Sequence, residues 1–300
     1  MLYKRGFEFS FGWLFAIIVG AVILFLALYA ASSIVKSERK IEESAAAKEF
    51  GILLTPIETN LESGKISLIS FPETTRIFNG CASVGTFGEQ KLSISIRSGI
   101  GQEWSEPGIE STFYNKYIFS HNVVEGRDFV VFSKPLSMPY KIADAQYLIS
   151  AKDEYCFVQP PTYIRDELLS LRPKNINVSD DIRECKSNSR TVCFSSTGCS
   201  IDIDLQAQKV RKGRQVVYYD NAGDDYTLLY GAIFSSPEIY ECNVKRLMNN
   251  FNELSKVYIG KISIIERHGC SSNIEPDLRD LMSQTENFES SRNLFDINFF

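Results

Sequence analysis

An uncharged apolar segment near the N-terminus limits what this 300-residue chain can fold into. No charged side chain occurs between Phe9 and Val35, a run of 27 residues. At ~1.5 Å per residue such a helix reaches roughly 40 Å, which exceeds the ~30 Å hydrocarbon core of a bilayer. Trp13 and Tyr29 lie near its two ends, where amphipathic rings prefer the membrane interface. The segment predicts a retained transmembrane helix, because the apolar core of a cleaved secretory signal is shorter.

Changes in hydrophobic period divide the chain into five parts. A short tail over residues 1–8 precedes the transmembrane helix over 9–35, and helix formers of mixed charge predict a helical stalk over 36–63. An alternating pattern over 64–235 predicts a β-rich domain with one helix. A period near 3.6 over 236–300 predicts helices that pack on that domain or follow it. We therefore expect an α+β fold with an N-terminal transmembrane helix and stalk, a mostly antiparallel β domain and C-terminal helices.

Several individual elements can be read within these parts. Strict alternation in Lys91–Arg97 and Ser200–Leu205 predicts half-buried strands. The apolar Thr227–Tyr230 is predicted as a short buried strand, and Thr162–Leu171 as the helix of the β-rich domain. Ser235–Glu238 combines a Ser-x-x-Glu spacing with a proline in the first turn. This pattern predicts a capping box at the start of a long helix.

Seven cysteines in a chain with an apolar anchor predict at least two structural disulfides. No Cys-x-x-Cys occurs, which disfavours a zinc ribbon or a thioredoxin-type redox motif. Two of the three cysteines between residues 185 and 199 can bridge a local loop, whereas Cys242 and Cys270 lie too far apart to pair if the long helix is unbroken. The odd number leaves one free thiol or an intermolecular bond, and the alternative is a set of buried reduced thiols. The candidates are Cys81, Cys156, Cys185, Cys193, Cys199, Cys242 and Cys270.

Two features give conflicting indications of the side of the membrane on which the globular part lies. Two basic residues precede the apolar segment and four follow it before residue 50, which would leave the domain in the cytoplasm. Disulfides, in contrast, persist mainly outside the cytosol. The sequon at Asn177 is a candidate glycosylation site and agrees with an external face. We expect a single-pass protein of the cell membrane with an extracytoplasmic globular domain.

Charge and histidine content disfavour several functional classes. A net charge of −5 and a pI near 5.3 disfavour a nucleic-acid partner. The chain has two histidines, His121 and His268, and lacks the GxGxxG, Walker A, HExxH and GxSxG motifs. Asp202 and Asp204 share one strand face, but a hard cation requires more oxygen ligands than these two. We therefore expect no cofactor and no metal, and we favour a non-catalytic role while the question of catalysis stays open.

A basic hairpin stands out in this acidic protein. Its cations surround Gly213 and make a candidate anion-binding site for a lipid headgroup, an acidic glycan or an acidic partner. The alternative is a charged edge that keeps the sheet from aggregating. The candidate residues are Lys209, Arg211, Lys212 and Arg214.

Small residues recur on one face of the apolar helix. Gly12, Ala16 and Gly20 are spaced by four, so they share a face on which two helix backbones can approach closely. This face predicts a homo-oligomer or a partner helix in the bilayer. The alternative is the ordinary composition of a membrane helix.

The opening Lys4-Arg5-Gly6-Phe7, directly before a long apolar helix, resembles the leader of type IV pilins. In that family a peptidase cuts after the glycine and the apolar helix packs in a filament, so the resemblance implies processing after Gly6. The family often has a glutamate at the fifth mature position, where this chain has Phe11, and Glu8 lies at the second. The opening and the Gly-Cys-containing helical end also resemble uncharacterised archaeal single-pass membrane proteins with a signal anchor. That second resemblance implies no activity.

These features support three functional hypotheses. The first is an envelope protein, anchored in the lipid bilayer, whose external α+β domain has a structural role or binds a protein or cell-surface partner. The second is a pilin-like filament subunit that assembles through the small-residue face of the apolar helix. The third is a membrane-anchored hydrolase, which requires a cleft with convergent polar groups.

Overall fold

The computed structural model shows an α+β protein. The residues it describes are 11–54, 66–97, 103–138, 140–194, 197–220, 226–269, 271, 273–286 and 288–297. The described helices are α1 (Phe11–Leu53), α2 (Thr162–Leu171), α3 (Thr227–Phe234), α4 (Pro237–Arg267) and α5 (Ile274–Thr285), with short 3-10 helices at Ile182–Glu184 and Ser291–Asp296. The strands are β1 (Ile66–Ala82), β2 (Glu89–Arg97), β3 (Ser111–Phe113), β4 (Tyr117–Phe119), β5 (Val123–Ser137), β6 (Lys141–Ser150), β7 (Tyr155–Val158), β8 (Ile176–Ser179), β9 (Arg190–Cys193), β10 (Ile201–Asp204), β11 (Lys209–Lys212) and β12 (Gln215–Tyr218).

The strands form two mixed sheets. The first sheet has the order β3-β2-β1-β5-β6-β4, and its pairs are antiparallel except for β4 with β6. The second has the order β12-β11-β10-β9-β7-β8, in which β8, β7, β9 and β10 pair in parallel and β10, β11 and β12 pair antiparallel. The expectation of a mostly antiparallel domain is therefore only partly right. Side chains alternate in the same way in both kinds of pair, so the alternation does not reveal strand direction.

Helix α1 joins an exposed apolar half to a buried C-terminal end. The side chains of residues 12–35 are exposed, and the helix is long and apolar enough to cross a membrane. Near its C-terminus the chain packs on one face of the first sheet, where Ala47, Phe50 and Leu54 are buried. The segment predicted as a stalk is thus partly docked on the globular part; its residues 55–65 lie outside the described ones.

Close contacts fix the docked end of α1. The hydroxyl oxygen of Ser44 accepts a hydrogen bond from the backbone N–H of Ile109 at 2.8 Å. The ring of Phe113 lies directly over Gly51, where an added Cβ would come within 2.1 Å of a ring atom. Since real Cβ atoms do not approach so closely, any larger side chain at Gly51 requires β3 to move.

Helices α3 and α4 lie between the two sheets. The ring of Phe234 at the end of α3 is 5.7 Å from that of Phe132 on β5 and 5.1 Å from that of Tyr155 on β7. Every residue of α3 is buried. The strand predicted at Thr227–Tyr230 is therefore wrong: a segment that is apolar on all sides has no polar face to show a helical period.

Helix α4 begins without the predicted capping box. Ser236 is the N-cap residue, but its side chain makes no capping hydrogen bond. Its hydroxyl bonds instead to the side chain of Asn122, and the hydroxyl of Ser235 donates to a carbonyl of α3. Glu238 accepts a hydrogen bond from Gln215 of β12 at 3.0 Å. The Ser-x-x-Glu pattern was misleading because residues distant in the sequence bond the side chains of Ser236 and Glu238, which therefore do not cap the helix.

A buried arginine on α4 ties the helix to the first sheet. Arg246 is fully buried, and in the described part of the chain no ion pair joins it to a carboxylate. Its guanidinium lies 4.7 Å from the ring of Tyr117. Burial lowers the pKa of Arg246 from 12.5 to about 10, so the side chain stays charged at neutral pH. Its hydrogen bonds to described residues, at 2.8 to 3.3 Å, all go to neutral acceptors, which are the carbonyls of Phe87, Tyr114 and Lys116 and the side-chain amides of Gln90 and Asn243.

Replacing Arg246 by methionine should strongly destabilise the protein. The methionine fills most of the volume but leaves buried carbonyls without a donor, so we expect a loss of about 3 kcal/mol or more. The measurement is denaturant unfolding of the full chain in non-ionic detergent, followed by tryptophan fluorescence.

Arg211→Met is the matched control for this experiment. Arg211 is exposed and paired with Asp202 at 3.2 Å, so its loss should cost no more than about 1 kcal/mol. Equal effects of the two substitutions would contradict the structural role of Arg246.

Candidate functional site

Three disulfides link six of the seven cysteines, all in the described part of the chain. The pairs are Cys81–Cys242, Cys156–Cys185 and Cys193–Cys199. They meet the expectation of at least two disulfides, including one local loop, whereas Cys270 lies outside the described residues. The first pair joins β1 to α4 across 161 positions, and chain entropy assigns such a long loop about 5 kcal/mol of stabilisation.

One face of the second sheet points away from the core, and we call it the outer face. In β10, Ile201 and Ile203 are buried on the inner side, while Asp202 and Asp204 point the other way. Residues paired across neighbouring strands lie on the same face. Asp202 is paired with Cys193 of β9 and with Arg211 of β11, so these two residues also belong to the outer face. The outer face includes Cys193, Asp202, Asp204, Lys209, Arg211 and Val216.

Opposite charges alternate across the outer face. Lys209 pairs with Asp204 at 3.3 Å, and Arg211 pairs with Asp202 at 3.2 Å. The pKa of Asp204 is held below its usual value, first by the backbone N–H of Ala207 and then by Lys209. Asp202 and Asp204 therefore serve as partners of the hairpin's cations.

The hairpin does not present its four cations as one patch. Lys209 and Arg211 lie on the outer face, each next to a carboxylate. Lys212 is the residue after Arg211 in β11, so its side chain points to the opposite, inner face. There its ammonium donates to the carbonyl of Ser235. Arg214 is exposed in the turn. The anion site predicted from the four residues is thus split by the pleat of the strand.

The outer face forms one side of a groove of about 690 Å³. The two ion pairs line it together with Phe194, Leu205, Val216 and Tyr218. Its volume lies in the range of small-molecule and peptide sites, which combine apolar walls with a few polar groups. The mixed lining suits a ligand that presents both apolar and charged groups.

The other predicted residues lie apart from this groove. Asn177 is exposed on β8, at the opposite edge of the second sheet. His268 is exposed after α4, where its ring nitrogen Nδ1 bonds the carbonyl of Ile264 at 2.8 Å. His121 contacts Arg190. No group of three or more His, Cys, Asp or Glu within the described ranges could hold a metal.

Among the described residues, the small-residue face of α1 contacts nothing in the globular part. Gly12, Ala16 and Gly20 are exposed, and nothing described lies within 4 Å of a Cβ placed on Gly20. The face is therefore open to a second helix, and the seam stays a prediction.

The groove is a feature that the sequence did not lead us to expect. One signal in the sequence was available: alternation along the hairpin strand places Lys209 and Arg211 on one face of the sheet and Lys212 on the other. The position of Phe194 depends instead on the link between β9 and β10, which the Cys193–Cys199 disulfide closes. No family model, curated protein or solved structure matches this chain.

Proposed function

We propose that this chain is a single-pass membrane protein whose extracytoplasmic α+β head binds a protein or cell-surface partner through the outer face of the second sheet. The observation that carries the proposal is the continuity of α1. The same helix supplies an exposed apolar half and a buried end within the core of the head.

The continuity of α1 holds the head close to the bilayer. The apolar run ends at Val35, and Glu43 is already buried against the head. At ~1.5 Å per residue, the eight steps from Val35 to Glu43 span about 12 Å. A tether this short and helical presents the head at a nearly fixed height and orientation, as suits a protein that acts at the membrane surface.

The disulfides support an extracytoplasmic head. Two of the three staple the outer face of the second sheet, where Cys156, Val158 and Cys193 form a small apolar cluster. Cytosolic thiols are kept reduced, so a fold that relies on such links is typical of an oxidising compartment.

Thiol labelling in intact cells tests the compartment. In a Cys270→Ser variant the remaining six cysteines are all paired, so an impermeant maleimide should label nothing before reduction. After an impermeant reductant, Cys185 and Cys199 should react because both are only half-buried. Labelling that needs cell lysis but no reductant would place the head in the cytoplasm and contradict the proposal.

Photo-crosslinking tests the binding surface. Val216 lies in the groove and Val84 is 83% exposed in the turn after β1, so a photoreactive residue at either position should leave the fold intact. Crosslinking in intact cells should give a discrete higher-mass adduct from position 216 and none from position 84. No adduct from position 216, or the same adduct from both, would contradict binding through the outer face.

A pilin-like subunit is the second candidate, since an exposed apolar helix that continues into a head also suits a filament. It requires processing after Gly6, so N-terminal sequencing of the purified chain should then begin at Phe7. A chain that begins at Met1 would contradict this candidate and leave the tethered binding domain.

A further inference from the structure

Three basic side chains from three different elements meet at the junction of the two sheets, on the inner side of the second sheet. His121 follows β4, Arg190 begins β9 and Lys212 ends β11. The guanidinium of Arg190 contacts Nε2 of His121, and Lys212 donates to the carbonyl of Ser235. We call His121, Arg190 and Lys212 the basic cluster.

The polypeptide around the cluster is held in place by hydrogen bonds. The backbone N–H of Ser236 donates to the carbonyl of Ser120 at 3.2 Å, and its hydroxyl bonds to the side chain of Asn122. These contacts join the segment that carries His121 to the segment that holds Lys212. They also place the first turn of α4 beside the cluster, where Glu238 of that turn partly offsets the positive end of the helix dipole.

Two carboxylates lie near the cluster, Asp153 and Glu238, and Glu238 bonds Gln215, the cross-strand neighbour of Lys212. Asp153 lies 3.8 Å from Arg190, and the ring of Tyr155 lies 5.8 Å from its guanidinium. Burial lowers the pKa of Lys212 to about 7, with Arg190 adding to the effect. Burial, Arg190 and Lys212 together lower the pKa of His121 to about 4. Among the described residues, the charged groups that lower the pKa values of Lys212 and His121 are all cations.

We propose that the basic cluster binds an oxyanion group, such as the phosphate, sulfate or carboxylate of a small ligand. The planar guanidinium of Arg190 suits two oxygens at once, and the ammonium of Lys212 adds a second charge. Because a guanidinium can only donate, Nε2 of His121 accepts from Arg190, and the neutral ring helps to hold the guanidinium in place. The three residues are partly exposed, so the cluster borders solvent.

This site is separate from the groove of the proposed function. Lys212 and Arg211 are neighbours in β11 but lie on opposite faces of the sheet. Arg211 has a carboxylate partner on its face, whereas Lys212 bonds only a neutral carbonyl among the described contacts. Among the described contacts neither Arg190 nor Lys212 has a carboxylate within hydrogen-bond distance, so both can donate to an anion.

Sulfate is the probe for the first test, because its charge is constant between pH 6 and 9. The full chain in non-ionic detergent is titrated with sodium sulfate at pH 6.5, against sodium chloride of equal ionic strength. We expect saturable binding by calorimetry and a higher Tm in sulfate. In Lys212→Met the affinity should fall roughly tenfold or more, since a charge-assisted hydrogen bond is lost.

Lys209→Met is the matched control, since it removes a lysine from the other end of the same strand and on the outer face. It should retain the affinity of the unmodified protein. Equal sulfate affinity in Lys212→Met and Lys209→Met would overturn the proposal, as would the absence of saturable binding to the unmodified chain.

The pH dependence of sulfate affinity gives a second test that needs no variant. Around Lys212 the groups that titrate or carry charge are His121, Arg190, Asp153, Tyr155 and Glu238 of α4, and burial raises the pKa of Tyr155 to about 12. Between pH 6 and 9, Lys212 is therefore the group that changes charge, losing its proton as the pH rises through about 7. Sulfate affinity should fall over this interval, and a pH-independent affinity would contradict the proposal.

Discussion

The buried guanidinium of Arg246 is the interaction on which the arrangement of the two sheets depends. An arginine has five N–H donors and cannot lose its charge at neutral pH, so its burial requires acceptors on every side. The chain supplies them from β2, α4 and the segments that precede β2 and β4. One turn earlier on α4, Cys242 is bonded to Cys81 of β1. The arginine and the disulfide together fix α4 on the first sheet, and the start of α4 in turn positions Ser235 against Lys212 of the second.

The same sheet also receives the membrane-proximal helix, on its opposite face. Because α1 contacts β2 and β3 while α4 contacts β1 and β4, the first sheet is the layer through which both are connected. Gly51 allows the helix to approach the ring of Phe113, and a side chain there would separate the two. A displacement of α1 thus requires a displacement of the sheet, which makes the tether and the head one mechanical unit.

How much of this could be predicted from the sequence depends on whether the signal is local. The apolar helix, helix α2 and the alternation of Asp202 and Asp204 with isoleucines are local patterns, and each was found. Strand direction was not, because a parallel and an antiparallel strand alternate in the same way. The helix at Thr227–Tyr230 was missed because burial on all sides removes the periodic signal. Arg246 was missed because a buried arginine looks like a surface arginine until the acceptors around it are known, and those come from positions far apart in the sequence.

On the outer face, the same disulfides and ion pairs stabilise the second sheet and leave its surface open to a partner. The inner face is covered by α2 and α3, but in the described part of the chain the apolar cluster of the outer face is covered only by the segments that carry Cys185 and Cys199, and no α-helix contributes to it. A sheet face without a covering layer cannot bury enough apolar surface to be stabilised by the hydrophobic effect alone. Here two disulfides and two cross-strand ion pairs supply the missing stabilisation, and all four use short or charged side chains that leave the surface open. A helix in their place would have filled the groove, so the choice of covalent and ionic links over a third layer is what leaves this face free for a partner.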